Sequence, residues 1–260
     1  MKLVRSAIVT GSTSGIGLGI ARALAASGAN VMLNGLGDAK EIDALRTVLA
    51  KEFGVEVSYS AANMLNKDEI AGMVEQTKKQ LGSVDILVNN AGIQHVAPVH
   101  QFPDDQWDRI LAINLSSTFH AIKHALPIMK EGNFGRIVNI ASVHGLVGST
   151  GKAAYVAAKH GVIGLTKVVA LENANSNVTC NAICPGWVRT PLVEKQIEAR
   201  AAEKKISIAA ATEDLLREKQ PSLRFATVDQ LGSLVVFLSS EAAGSMTGVS
   251  LPVDGAWTAQ

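Results

Sequence analysis

Residues 7–21 read AIVTGSTSGIGLGIA: a short apolar run, a glycine-rich turn, then small and apolar residues that suit a helix. Gly11, Gly15 and Gly17 fall in a G-x-x-x-G-x-G spacing directly after the apolar run. Glycines at the end of a first strand let the backbone come close to a pyrophosphate, and the following helix aims its N-terminal amides at that charge. The stretch predicts strand, phosphate-binding turn and helix, with Gly11, Thr13, Ser14, Gly15, Ile16 and Gly17 as candidate dinucleotide contacts.

Working outward, further β-rich runs follow: NVMLN, VEVSYS, VDILVNN, GRIVNIAS, NVTCNAI and GVSLPV. Between them, residues 18–26, 39–53, 67–81, 106–130, 153–173 and 229–239 carry apolar side chains at helical spacing. Strand and helix in strict alternation imply an α/β fold with a doubly wound, Rossmann-type parallel sheet covered on both faces. Residues 189–224 break the pattern with two charged amphipathic pieces and no strand, which predicts a small helical lid over the carboxyl edge of the sheet. Nothing resembles a linker, so residues 1–260 are expected to form one domain.

Twenty-four Lys and Arg against 23 Asp and Glu leave a formal charge of +1. That gives no electrostatic footprint for nucleic acid. No apolar run is read as approaching the roughly 20 residues that span a bilayer, and the start MKLVRSAIVTG lacks a signal-peptide core, so a cytoplasmic protein without membrane attachment is expected. Cys180 and Cys184 share one face of a strand, and a buried, reduced pair is expected rather than a zinc site. His120 and His124 are spaced i and i+4 but lack a third ligand, so no metal is expected; Trp107 is read as core or subunit interface.

Which dinucleotide binds is decided after the second strand. An acidic residue there would hold the adenosine ribose and an arginine would meet a 2′-phosphate. Asn34, Gly35 and Leu36 are neither, and Asp38 reads as the start of the next helix. Without a cation for the extra phosphate, NAD is expected. Asn90, Ala91 and Gly92, in DILVNNAG, place small residues and an amide where a flat ring and its ribose can lie. Tyr155 and Lys159, in AAYVAAKHG, set a phenol and an ammonium on one helix face.

The ordered set T-G-x-x-x-G-x-G, N-N-A-G, a serine after a later strand, Y-x-x-x-K and P-G resembles the short-chain dehydrogenase/reductase family over the whole chain. The resemblance implies Tyr155 as acid/base, Lys159 favouring its phenolate and binding the nicotinamide ribose, Ser142 holding the substrate oxygen, and Asn114 positioning a relay water. It also implies cofactor contacts from Leu36, Asn63, Pro185, Gly186, Val188 and Thr190. The stretches NNAGIQH, SVHGLVGSTGKAAYVAAKHG, CNAICPGWVRTPLVEKQI, EKQPS and VDGAWTAQ further resemble the bacterial members that interconvert D-3-hydroxybutyrate and acetoacetate. In those, Gln94, His144, Lys152 and Gln196 would surround the carboxylate, with Trp187 and Trp257 near the methyl end. A lysine, a histidine and two amides are suitable donors for a small anion.

Two departures stand out. Asn63 replaces an aspartate that contacts the adenine amino group, leaving an amide oxygen to accept, and Ala256 replaces a glycine before Trp257. If that position needs positive φ, the alanine is strained. The resemblance further implies a homotetramer built through the long helices. An NADP-dependent 3-oxoacyl-thioester reductase or another short-chain 3-hydroxy acid dehydrogenase is the alternative on the same scaffold, and a non-catalytic dinucleotide sensor or structural subunit the alternative of another class.

Overall fold

Along strand β1 (Ser6–Val9), alternate side chains enter different cores. Ala7 and Val9 pack with Ile20 and Leu24 of α1 (Gly15–Ala26), Leu49 of α2 (Ala39–Phe53) and Leu231 and Val235 of α9 (Val228–Leu238). Ile8 instead joins Ile70 and Met73 of α3 (Lys67–Leu81), Ala121 and Ile122 of α5 (Ser117–Glu131) and Val169 of α6 (Ala153–Glu172). The same alternation repeats in β4 (Ile86–Asn89), where Ile86 and Val88 face the first core and Leu87 the second. A strand buried on both faces must be apolar throughout, which is why these runs lack polar alternation. Each fully buried aliphatic side chain contributes roughly 1.5–3 kcal/mol.

The computed structural model describes residues 4–259. With β2 (Asn30–Asn34), β3 (Val57–Ser60), β5 (Gly135–Ile140), β6 (Val178–Pro185) and β7 (Ser250–Val253), the sheet runs β3-β2-β1-β4-β5-β6-β7. All neighbouring pairs are parallel. The strand order reverses between β1 and β4, so the chain leaves their carboxyl ends in opposite directions and opens a crevice there.

Three expectations need adjustment. The helical pattern over residues 106–130 divides into α4 (Asp104–Leu111), a π-helical turn (Ala112–Ser116) and α5. Asn114 sits in the middle of the wider turn, with its side chain hydrogen-bonded to the Ile93 main chain. The first helix starts at Gly15, three residues earlier than its apolar pattern, because the glycine turn itself forms its first turn. Helix α6, with 20 residues, reaches the length and hydropathy of a membrane-crossing segment. It carries Lys159 and Thr166 among its buried positions and packs on β6 and α4.

Residues 189–224 hold α7 (Pro191–Lys204) and α8 (Ile208–Arg217), as the charge pattern suggests. A parallel bridge between Val188 and Ala226 closes the base of this excursion. Cys180 and Cys184 are buried and unpaired in β6, and burial pushes their thiols up to about 12 and about 11. Among the described residues, no group of three or more His, Cys, Asp and Glu side chains is placed to hold a metal ion. His120 and His124 are partly exposed, and Trp107 is 38% exposed rather than core.

Candidate active site

The crevice is a cavity of about 640 Å³ reaching from the glycine turn to Trp257. That is in the range of small-molecule and cofactor sites. At one end, Gly11 and Gly15 hold φ of 61° and 56°, conformations that favour glycine. A Cβ at Gly17 would overlap the Gly11 carbonyl and the Asn90 amide. The turn is pinned from two sides. Asn90 Nδ2 donates to the carbonyls of Thr10 and Gly11 at 2.9 and 3.0 Å. Asn34 Oδ1 accepts from Gly11 N–H at 3.2 Å, while its Nδ2 donates to Ser60 and Ala62 carbonyls at 3.1 and 2.9 Å. Ser14 makes no side-chain cap to α1, and the first turn of that helix holds no acidic residue. The N-terminal amides therefore keep their affinity for an anion, and this backbone cradle fits a pyrophosphate.

Past β2, Leu36 is 69% exposed at the cavity lip. Asp38 caps α2, accepting from Lys40 and Glu41 N–H at 2.9 and 3.1 Å, as its position suggested. Among the described residues, the only Lys or Arg side chains lining the cavity are Lys152 and Lys159, both at the far end. Asn63 also lines it, but its Oδ1 already accepts from Leu65 N–H at 3.0 Å. The oxygen expected to receive the adenine amino group is thus engaged in a local turn.

Ser142 ends the chain after β5 and caps the short turn Val143–Gly145, its Oγ accepting from His144 N–H at 3.2 Å. The Ser142 hydroxyl also draws the Tyr155 phenol pKa down, but burial is the larger influence and pushes it up. Lys159 is 4% exposed; its Nζ donates to the Ile140 carbonyl at 2.7 Å and lies 5.6 Å from the Tyr155 ring centre. Burial drives its pKa down to about 8. The expected lowering of the phenol by this ammonium does not outweigh burial within the protein's own groups, because desolvation penalises both charges. Asn114 clamps the chain after β4, accepting from Ile93 N–H at 2.8 Å and donating to Ile93 carbonyl at 2.9 Å. One donor and one acceptor of its amide are committed there, which fixes the orientation of the side chain.

Beside the tyrosine, His144 is 6% exposed with Nε2 3.3 Å from Lys152 Nζ. Burial first, then Lys152 and Lys219, bring its pKa down to about 4. At neutral pH that leaves the imidazole neutral, and its buried Nδ1 has no hydrogen-bond partner among the described residues. Burial also lowers the Lys152 pKa. Trp257 stands edge-on to His144 at 5.4 Å, and Trp187 lies 6.0 Å from Trp257. Gln94, Gln196, Pro185, Gly186, Val188 and Thr190 complete the same wall, so the candidates named from sequence line one cavity with the exception of Asn114, which is buried with its amide on the Ile93 main chain. Thr190 also caps α7, its Oγ1 accepting from Val193 N–H at 3.4 Å. Ala256 holds φ of 72°, so the strain suspected there is present.

Sequence reasoning gave Asn34 no structural role and passed over the lining side chains Met64, Ile93 and Val193. A polar residue ending an otherwise apolar strand was the available signal for Asn34.

A family model described as enoyl-(acyl carrier protein) reductase matches residues 11–258. The D-beta-hydroxybutyrate dehydrogenase of Cupriavidus necator is 56% identical over 257 residues, 98% of each chain. An actinorhodin polyketide ketoreductase solved with NADPH is 34% identical, with a TM-score of 0.90 over 98% of this chain and 97% of that one. An NAD+-bound xylitol dehydrogenase is 30% identical, with a TM-score of 0.88 over 98% and 100%.

Proposed function

The chain belongs to the short-chain dehydrogenase/reductase family of nicotinamide-dependent oxidoreductases, and from that premise we propose that it interconverts D-3-hydroxybutyrate and acetoacetate with NAD. The observation that carries this reading is the anion end of the cavity. Lys152 and neutral His144 stand beside Tyr155 under two tryptophans. A reductase for long thioesters gains nothing from a half-buried cation at that position. NAD is supported by the adenosine end, where among the described residues no lysine or arginine lines the cavity to meet a 2′-phosphate. The two solved relatives name different cofactor forms, so this preference rests on the chain's own residues.

Bound in the crevice, the cofactor supplies the hydride acceptor and, when oxidised, a positive ring. The glycine turn and the α1 amides would hold its pyrophosphate, and Asn90, Ala91, Gly92 and Thr190, which line the same cavity, would border its ring end. The substrate carboxylate is met by Lys152, Gln94 and Gln196, and the protonated ring nitrogen of neutral His144 donates to it when Nε2 accepts from Lys152. Trp187 and Trp257 cover the methyl group. Ser142 Oγ and Tyr155 Oη hold the hydroxyl, and Tyr155 takes its proton as hydride leaves C3. Lys159 would keep a positive charge beside the phenolate while the proton passes by way of its ammonium to a water at the Asn114 main chain and so to solvent. A general base of this kind accounts for about 10²–10⁴-fold in rate.

The excursion over residues 189–224 acts as a lid that shuts water out of the carboxylate end. A homotetramer is supported by the exposed apolar side chains Trp107, Phe119, Val168 and Leu171 along α4, α5 and α6. Unpaired, buried thiols suit the reducing cytoplasm. Replacing Tyr155→Phe tests the chemistry: turnover of D-3-hydroxybutyrate is expected to fall at least about 10³-fold with NAD affinity within about twofold. Unchanged turnover would remove the catalytic assignment.

A further inference from the structure

Gln220 lies just beyond α8 and is 1% exposed. Its Oε1 accepts from the Trp187 main-chain N–H at 2.9 Å, and its Nε2 donates to the Arg224 carbonyl. Leu223, between these partners, holds a left-handed φ of 51°, which a leucine adopts only when its surroundings impose it. Ser222 N–H donates to the Gly255 carbonyl at 3.0 Å, and Ala226 N–H to the Trp187 carbonyl at 2.9 Å. A Cβ at Gly186 would come within 2.7 Å of Gln220 Oε1, and one at Gly255 within 2.7 Å of Gln220 Cγ. The carboxamide is therefore wedged between the turn after β6, which carries Trp187, and the turn after β7, which carries Trp257. Trp187 Nε1 is buried with no hydrogen-bond partner among the described residues, so the indole is located by its backbone and packing rather than by a polar anchor of its own.

From this we infer that Gln220 is a positioning residue that ties the folded end of the lid to the turns bearing Trp187 and Trp257, and so sets the fit of the substrate's apolar end. The inference rests on the short hydroxy acid reading for its kinetic consequence but not for its geometry. An amide that satisfies two main-chain groups in a buried place is worth keeping only if both segments stay in register. Removing it strands the Trp187 N–H and leaves the Arg224 carbonyl with the longer bond from Ser222 Oγ at 3.4 Å. The glycine cradle that would hold the cofactor's pyrophosphate lies outside this linkage and Gly186 alone abuts Gln220 at the ring end, so the hydroxy acid should respond more strongly than NAD.

The test uses the full-length protein with Trp107→Phe, so that only Trp187 and Trp257 fluoresce, with and without Gln220→Met. The methionine keeps the length of the side chain and deletes both hydrogen bonds. Acrylamide quenching of the tryptophans should rise about twofold or more, and KM for D-3-hydroxybutyrate about tenfold, while KM for NAD stays within about twofold. In the unmodified protein, the Trp187 amide should exchange with solvent no faster than the Ala226 amide, a measurement that needs no variant to fold. Unchanged quenching and unchanged KM for the hydroxy acid, equal rises in both KM values, or free exchange at Trp187 would each overturn the assignment. If the unmodified protein does not turn over D-3-hydroxybutyrate, the functional reading fails, and quenching with amide exchange still decides the role of Gln220.

Discussion

His144 is where burial selects the chemistry of a single side chain. Its pKa of about 4 lies below the ordinary 6.5 because desolvation, Lys152 and Lys219 all oppose a second proton. A neutral imidazole favoured by the fold stabilises it above about pH 6.5, and this contribution is lost as the pH falls toward 4. The loss is on the order of 1–3 kcal/mol. Denaturant titrations should show it, with a smaller loss in His144→Gln. KM for the hydroxy acid should also stay within about twofold between pH 5.5 and 7.5, whereas a steep fall as the pH drops through 6.5 would mean that the ring titrates normally. Ala256 makes a second case. Its φ of 72° costs an alanine about 1 kcal/mol that a glycine avoids. Ala256→Gly should raise Tm by about 2 °C, and a lower Tm would contradict the strain. The residue scale was the most legible from sequence when the signal was local. Tyr155 and Lys159 are one turn apart on a helix, and the glycine spacing sits within a single turn. Asn34 and Gln220 escaped because their partners are 23 and 33 residues away, brought near only by the topology.

At the scale of elements, the site depends on how ends of strands and helices are held rather than on their interiors. The π-helical turn between α4 and α5 directs Asn114 at Ile93, and no helical periodicity could have announced it, because the apolar pattern runs across the interruption. The lid pieces were legible as amphipathic helices; their mutual clamp was not. Arg200 of α7 reaches Asp214 at 3.0 Å and Glu218 at 2.7 and 3.1 Å on the α8 side. With partners partly in solvent, this network contributes only about 0.5–1 kcal/mol. Arg200→Leu should therefore leave Tm nearly unchanged but speed amide exchange across α7 and α8 relative to β4, β5 and β6. Equal acceleration in the sheet would show that the pair does not form a separate unit.

For the whole molecule, the reversal of strand order at β1 and β4 brings residues from Gly11 to Trp257 to one crevice. Alternating apolar runs made that sheet readable, since parallel strands buried on both faces leave a strong pattern. Substrate identity is different in kind. It depends on Lys152, His144, Gln94 and Gln196 converging from separate loops and helices, and only resemblance to known enzymes suggested the set before the fold brought it together. The most direct test follows NADH absorbance with D- and L-3-hydroxybutyrate offered separately, and with NADP in place of NAD in a parallel series. Turnover with the D acid and NAD, at least about a hundredfold above the L acid or NADP, is the expected result and corresponds to about 3 kcal/mol of discrimination. Equal rates with both enantiomers, a preference for NADP, or no turnover of either acid by protein that binds NAD would contradict the account.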